Sequence, residues 1–245
     1  MIKILFKFLQ NPYSSFGKDQ RETVTEKLDF VKRAILFCIG SAFVALILVV
    51  FLIEMPIKSL LNISIFANLS HNRHAFRESV GPTRAVLDIC LAAPFFEEGA
   101  FRFILIAKSR CLQIISLLLM LDAITSFHSF FISSLQYYIV VMPVLFMLFF
   151  YNLFLIKTGE QVLQRGFYNF TCWFSIISFG LVHIGNFTPI NGSLIFLYPF
   201  YVLPQLIYGV VLSYAAINYK SIILPFLIHA GINSLMEVLK VLTGN

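Results

Sequence analysis

Two adjacent carboxylates and an arginine interrupt an apolar run, at Glu97, Glu98 and Arg102 in PFFEEGAFRFILI. An ionisable side chain at the centre of a membrane helix costs about 2.5–3.5 kcal/mol on insertion scales, so three in one such helix demand compensation. In a helix, Glu98 and Arg102 are four apart and share a face, where they can pair. Glu97 is turned by about 100° from Glu98 and has no partner on its own helix. A carboxylate facing a bundle interior can accept a proton from water or bind a metal. That makes Glu97 the chemically active candidate and leaves Glu98–Arg102 as a structural ion pair. Two later apolar runs carry His183, in FGLVH, and His229 with Asn233, in HAGIN, where the last two share a helix face. A lone histidine in an apolar helix is usually a satisfied core residue. Two of them and an asparagine, in separate runs alongside a glutamate pair, point to convergence, because polar groups in membrane helices face inward.

The elements that must position these groups are membrane helices. Of the 245 residues 59% are hydrophobic and only 12% charged, about half the charged share of a soluble domain. The 28 Phe and 10 Tyr suit lipid-facing and interfacial positions. Runs of span length are expected at 34–53, 85–107, 137–156, 167–184, 193–217 (broken by Pro204) and 221–239. Shorter apolar runs lie at 59–69 and 111–121, and residues 70–84 read as a polar connection closed by Gly81-Pro82. The expected fold is all-α, a polytopic bundle of about six to eight membrane helices. Residues 1–33 form a cytoplasmic or interfacial segment, partly amphipathic, and 34–245 the membrane-embedded domain.

The net charge of +6 does not indicate nucleic-acid binding. Lys3, Lys7, Lys18, Arg21, Lys27, Lys32 and Arg33 precede the first long apolar run, with Asp19, Glu22, Glu26 and Asp29 interleaved. That is the positive-inside pattern, which places the N-terminus in the cytoplasm of a multi-pass protein. Residues 1–10 are too short an apolar stretch for a signal peptide and read as an interfacial helix. Cys38, Cys90, Cys111 and Cys172 are scattered, with no CxxC spacing for a redox motif or thiolate zinc site. Asp88 stands nine residues before Glu97, too far for a close dyad. His71 and His74 read as solvated. Asp122, His128 and the serines of 126–134 read as a connection, and Glu54 and Glu237 as span-end groups that reach water.

In order and separation, Glu97-Glu98-x-x-x-Arg102, Phe179-x-x-x-His183 and His229-x-x-x-Asn233 resemble the three motifs of the CPBP family. These are the CAAX-protease and bacteriocin-processing membrane proteins, also called Abi or type II CAAX prenyl endopeptidases. The resemblance covers about residues 85–235. Gly99-Ala100 and Phe103 depart from the family pattern at positions without a catalytic role. The resemblance implies hydrolysis of a peptide bond in a lipidated or membrane-associated peptide, in a bacterial cytoplasmic membrane. Carried over by position, Glu97 would activate water and His229 would hold or polarise it. His183 and Asn233 would stabilise the oxyanion, for which imidazole and amide donors are suited. Glu98 and Arg102 would orient Glu97. Glu97, His183 and His229 also make a His₂Glu set able to hold zinc with a fourth position open to water, although the chain has no HExxH. Metal-free glutamate chemistry and a zinc hydrolase both stay open.

Two other function classes compete. A bacteriocin self-immunity factor or scaffold would keep the cluster for folding alone, but every polar position the chemistry needs is intact. A proton-coupled transporter would use buried Glu, His and Arg as relays, but the chain lacks the internal repeat many transporters show.

Overall fold

The computed structural model describes residues 1–16, 23–107, 110–125 and 161–243, and among them there are helices and no strands. The first helix, α1 (Ile2–Gln10), buries Leu5 and Phe8 and leaves Ile2, Ile4 and Phe6 outward. After a short α2 (Tyr13–Phe16), α3 (Val24–Val49) opens on a capping box in which Thr23 and Glu26 satisfy each other's backbone N–H groups. A π-helical turn, Val50–Glu54, carries it on into α4 (Met55–Leu61). The stretch Val24–Leu61 is 38 residues of continuous helix, more than a membrane crossing needs.

Asn62, in the left-handed region at φ 54°, ends that helix. The chain then turns back into α5 (Ile65–Val80), capped by Ser64. The polar connection expected at 70–84 is therefore mostly helix, which buries one residue of its own, Ile65. Gly81 has φ +86°, which favours glycine, and reverses the chain into α6 (Pro82–Leu87). A second π-helical turn, Asp88–Ala92, joins α6 to α7 (Ala93–Ile106). Next come α8 (Arg110–Thr125) and α9 (Gln161–Val182), the latter tightening into a 3₁₀ turn at His183–Phe187. A 3₁₀ segment (Gly192–Leu197) leads into α10 (Tyr198–Tyr201), α11 (Leu203–Tyr219) and α12 (Ile223–Thr243). The chain bends by 43° between Tyr201 and Leu203, beside the expected break at Pro204.

Among the described residues three helices are long and apolar enough to cross a membrane, Val24–Leu61, Arg165–Phe187 and Ile223–Lys240, or four if the bent pair before and after Val202 is one span. The helix from Pro82 to Ile106 has span length but carries the Glu97–Glu98–Arg102 group. The run expected at 137–156 lies outside the described residues, as do His128 and the serines of 126–134.

Small residues set the helix spacing. A Cβ on Gly209 of α11 would meet the Ile176 carbonyl oxygen at 3.1 Å and the Phe179 ring at 3.3 Å, so α9 and α11 touch backbone to ring there. Gly209→Val is expected to cost about 1–3 kcal/mol by overpacking, read as a lower unfolding temperature in detergent. An unchanged temperature would show that α9 can shift freely. Gly99, one of the departures from the family pattern, admits Leu119 of α8 to 3.3 Å from where its Cβ would be.

Two buried carboxylates correct the sequence reading. Glu54 and Glu237 do not reach water at span ends; their residues are 7% and 4% exposed. The fold-back of α5 covers both. Glu54 accepts hydrogen bonds from Ser64, the Phe66 N–H and Tyr201, and so ties the start of α5 to the rest of the bundle. Glu237 pairs with Arg77 of α5 and Lys240.

Candidate active site

α7 is gripped along its backbone by hydroxyls from its neighbours. Ser116 of α8 is inserted into the helix ladder, donating to the Ala100 carbonyl (2.7 Å) and accepting from the Ile104 N–H (3.0 Å). Ser175 of α9 donates to the Phe101 carbonyl (2.5 Å), and Tyr168 to that of Leu105 (2.9 Å). Each bond fixes the rotation of α7 about its axis, and that rotation decides where Glu97, Glu98 and Arg102 point.

Arg102 and Glu98 are both fully buried. Glu98 Oε2 lies 3.3 Å from Arg102 Nε. The guanidinium packs over the Phe179 ring, 4.2 Å from its centroid, with Phe101 at 5.9 Å. No nitrogen of Arg102 makes a hydrogen bond among the described residues, so the charge is held by one carboxylate and two aromatic faces. The other oxygen of Glu98, Oε1, lies 2.8 Å from His229 Nδ1. A carboxylate only accepts, so Nδ1 carries the proton and donates it.

His183 is held the same way, with a different acceptor. Its Nδ1 donates to the Phe179 carbonyl at 2.8 Å, one turn back. With both Nδ1 atoms engaged, each ring turns its Nε2 toward Glu97. Glu97 Oε2 stands 3.6 Å from His183 Nε2 and 3.8 Å from His229 Nε2. Those separations are too long for direct hydrogen bonds and are of the size a bridging water spans. Oε2 itself is buried with no hydrogen-bond partner among the described residues. The side chains of Glu97 and His183 are 24% and 16% exposed, against 1% for Glu98 and 5% for His229. The Glu97–His183 edge is thus the more exposed side of the cluster among the described residues.

The fold thus gathers Glu97, Glu98, Arg102, His183 and His229 from α7, α12 and the end of α9. Asn233 is engaged elsewhere: its amide donates to the Ile89 carbonyl at 2.8 Å, inside the π-helical turn ahead of α7. It locks α12 to the helix carrying the glutamates. Phe179 is the contributor that residue types did not single out. One fully buried ring and its carbonyl touch Arg102, His183 and His229 at once. Its only sequence signal was its place four residues before His183. Asp88 pairs with Arg84 at 3.7 Å, and His74 with Glu78 at 3.4 Å, both on exposed faces. His71 and Asp122 are exposed as well.

Zinc holds nitrogen and oxygen ligands at about 2.0–2.2 Å. Among the described residues no group of three or more His, Cys, Asp or Glu side chains is arranged to hold a metal ion. Glu97, His183 and His229 supply suitable donor types without that arrangement.

No curated protein and no solved structure matches the chain. One family model does, that of the Rce1-like type II CAAX prenyl endopeptidases, over residues 79–235. The match takes in the π-helical turn, both glutamates, Arg102, both cluster histidines and Asn233. It spans well over half of a chain already rich in apolar helices, and the chain therefore belongs to the Rce1-like type II CAAX prenyl endopeptidase family of membrane proteases.

Proposed function

We propose that this chain is an intramembrane endopeptidase in which Glu97 activates the water that cleaves a peptide bond of a lipidated or membrane-associated substrate. The observation that carries this reading is Glu97 Oε2, without a hydrogen-bond partner among the described residues and faced by two Nε2 atoms whose rings are held from behind. A water among these three atoms donates one proton toward Glu97 and the other to an imidazole Nε2. As the water oxygen bonds to the substrate carbonyl carbon, its proton passes to Glu97, a general-base step. The carbonyl oxygen becomes an oxyanion. His183 can stabilise it only with a second proton on Nε2, because its Nδ1–H is already given to Phe179. The C–N bond then breaks, and the proton held by Glu97 moves to the leaving amine. Asn233 acts in this scheme by fixing the distance between α12 and the glutamate helix. The substrate class includes prenylated CAAX-type termini and peptides matured at the membrane, such as bacteriocins.

The test is cleavage by purified, reconstituted protein over a panel of lipidated and plain transmembrane peptides, each with and without chelator. Cleavage of at least one lipidated or membrane-inserted peptide, undiminished by chelator, is the expected result. Activity lost to chelator and restored by zinc would instead assign Glu97, His183 and His229 to a metal. Folded protein that cleaves nothing would move the assignment to a self-immunity factor or scaffold.

A further inference from the structure

α9 ends by tightening into the 3₁₀ turn His183–Phe187, so His183 is the first residue of that turn. A 3₁₀ turn has poorer hydrogen-bond geometry than an α-helix and seldom runs beyond three or four residues; this one runs for five. The carbonyls of Asn186, Phe187, Thr188 and Pro189 close it and lead out of it, and none of them accepts from a backbone N–H among the described residues. A carbonyl left without a donor in an apolar setting is costly. Two side chains of α5 take all four. Asn72 donates to the carbonyls of Asn186 (3.1 Å) and Thr188 (2.6 Å), and Asn68 to those of Phe187 (3.3 Å) and Pro189 (3.0 Å). Asn72 also reaches the Thr188 hydroxyl oxygen at 3.3 Å. The two asparagines are four apart and share a face of α5, so alternate carbonyls fall to alternate amides. Asparagine is a poor helix former because its amide competes with the backbone. Two of them inside α5 are explained by what they hold.

We infer that Asn72, supported by Asn68, is a positioning residue for His183. The ring of His183 is fixed from one side by its Nδ1–H on the Phe179 carbonyl, one turn back. Its backbone is fixed from the other side by the asparagine clamp on the turn that it opens. The clamp has a firm base, because Glu54 holds the start of α5 through Ser64 and the Phe66 N–H. Both constraints serve one distance, the 3.6 Å between His183 Nε2 and Glu97 Oε2. A displacement of about 1 Å at a reacting centre can cost about 10²-fold in rate. The rival explanation is apolar: Phe187, buried against Phe66, Tyr198 and Tyr201, would hold the turn without the amides. The inference rests on the protease reading for the role of His183, while the position of its ring is a matter of structure alone.

The experiment places Asn72→Leu, which keeps the volume and removes the donor, in the full-length reconstituted protein. Expected is a kcat lower by roughly 10–100-fold with KM little changed, the pattern of an interaction made only in the transition state. In a His183→Ala background, where Glu97 still supplies a residual rate, Asn72→Leu should lower kcat no further, because its effect passes through that ring. An unchanged kcat, or the same fold-loss with and without His183, overturns the inference and leaves the protease reading standing. A second readout needs no turnover: the rate at which diethyl pyrocarbonate modifies His183, followed by mass spectrometry, with His229 as internal reference. Asn72→Leu should speed modification of His183 several-fold and leave His229 unchanged. Equal rates at His183 in wild type and variant overturn the inference. Faster modification at His183, with a wild type that cleaves nothing, supports the clamp and counts against the protease reading. If Asn72→Leu does not accumulate, Asn68→Leu is read in the same way, since it frees the Phe187 and Pro189 carbonyls and leaves the bonds of Asn72.

Discussion

Glutamine in place of Glu97 is expected to slow peptide cleavage by roughly 10²–10⁴-fold, the usual worth of a positioned general base, and to leave the unfolding temperature where it was. Both halves follow from the same geometry. The amide has the carboxylate's shape but cannot take a proton from water. Glu97 Oε2 has no hydrogen-bond partner among the described residues, so the exchange leaves no donor stranded. The imidazoles stay in place because Glu98 and the Phe179 carbonyl hold them, and Glu97 does not. Glu98→Gln is the informative control. It weakens the pairing with Arg102 and the bond to His229 together, so stability and rate should fall together. A Glu97→Gln protein that fails to accumulate, or melts early, would make the carboxylate structural and remove the basis for the mechanism. The measurement is a rate on the best peptide of the panel beside a melting curve in the same detergent.

The all-α, membrane-embedded character was legible in composition and run length, because about twenty apolar residues have few other uses. The face shared by Glu98 and Arg102 was legible too, since helical spacing alone requires it. What spacing could not supply is the third dimension. On α7 the two glutamates diverge, and the sequence reading sends Glu97 away from its neighbour. In the fold one imidazole lies between their two directions, its Nδ1 on Glu98 and its Nε2 facing Glu97. Only the approach of α12 reveals that. The same limit applies to Asn233, whose spacing from His229 marks a shared face while its partner is a backbone carbonyl freed by a π-helical turn. No side-chain pattern announces such a turn. Glu54 and Glu237 were misjudged for a related reason. Ser64, the Phe66 N–H at the start of α5 and Tyr201 close over Glu54, and Arg77, from the segment that looked like a polar loop, folds in α5 against Glu237.

Arg102→Ala is expected to destabilise the bundle by about 3–5 kcal/mol, the cost of leaving a buried charge without its partner, or roughly 10 °C in unfolding temperature. Glu98 would keep only the His229 N–H against its charge. The competing account is packing: the guanidinium fills the space between Phe101 and Phe179, and alanine would leave a cavity there. The double variant Glu98→Gln/Arg102→Met separates the two. Methionine restores most of the volume and the soft contact with Phe179, while glutamine removes the charge yet still accepts from His229 Nδ1. Replacing both members of a buried pair with neutral groups is often harmless where removing one is not. If charge is what Arg102 supplies, the double variant should recover most of the lost stability while Arg102→Met alone does not. If Arg102→Met alone recovers it, the arginine is a space-filler, and the fold tolerates Glu98 unpaired. Recovered stability in the double variant also permits a cleaner kinetic question. Its Glu97 and both histidines are intact, so any remaining loss of cleavage measures what a charged Glu98 does for the His229 ring that faces the reacting water.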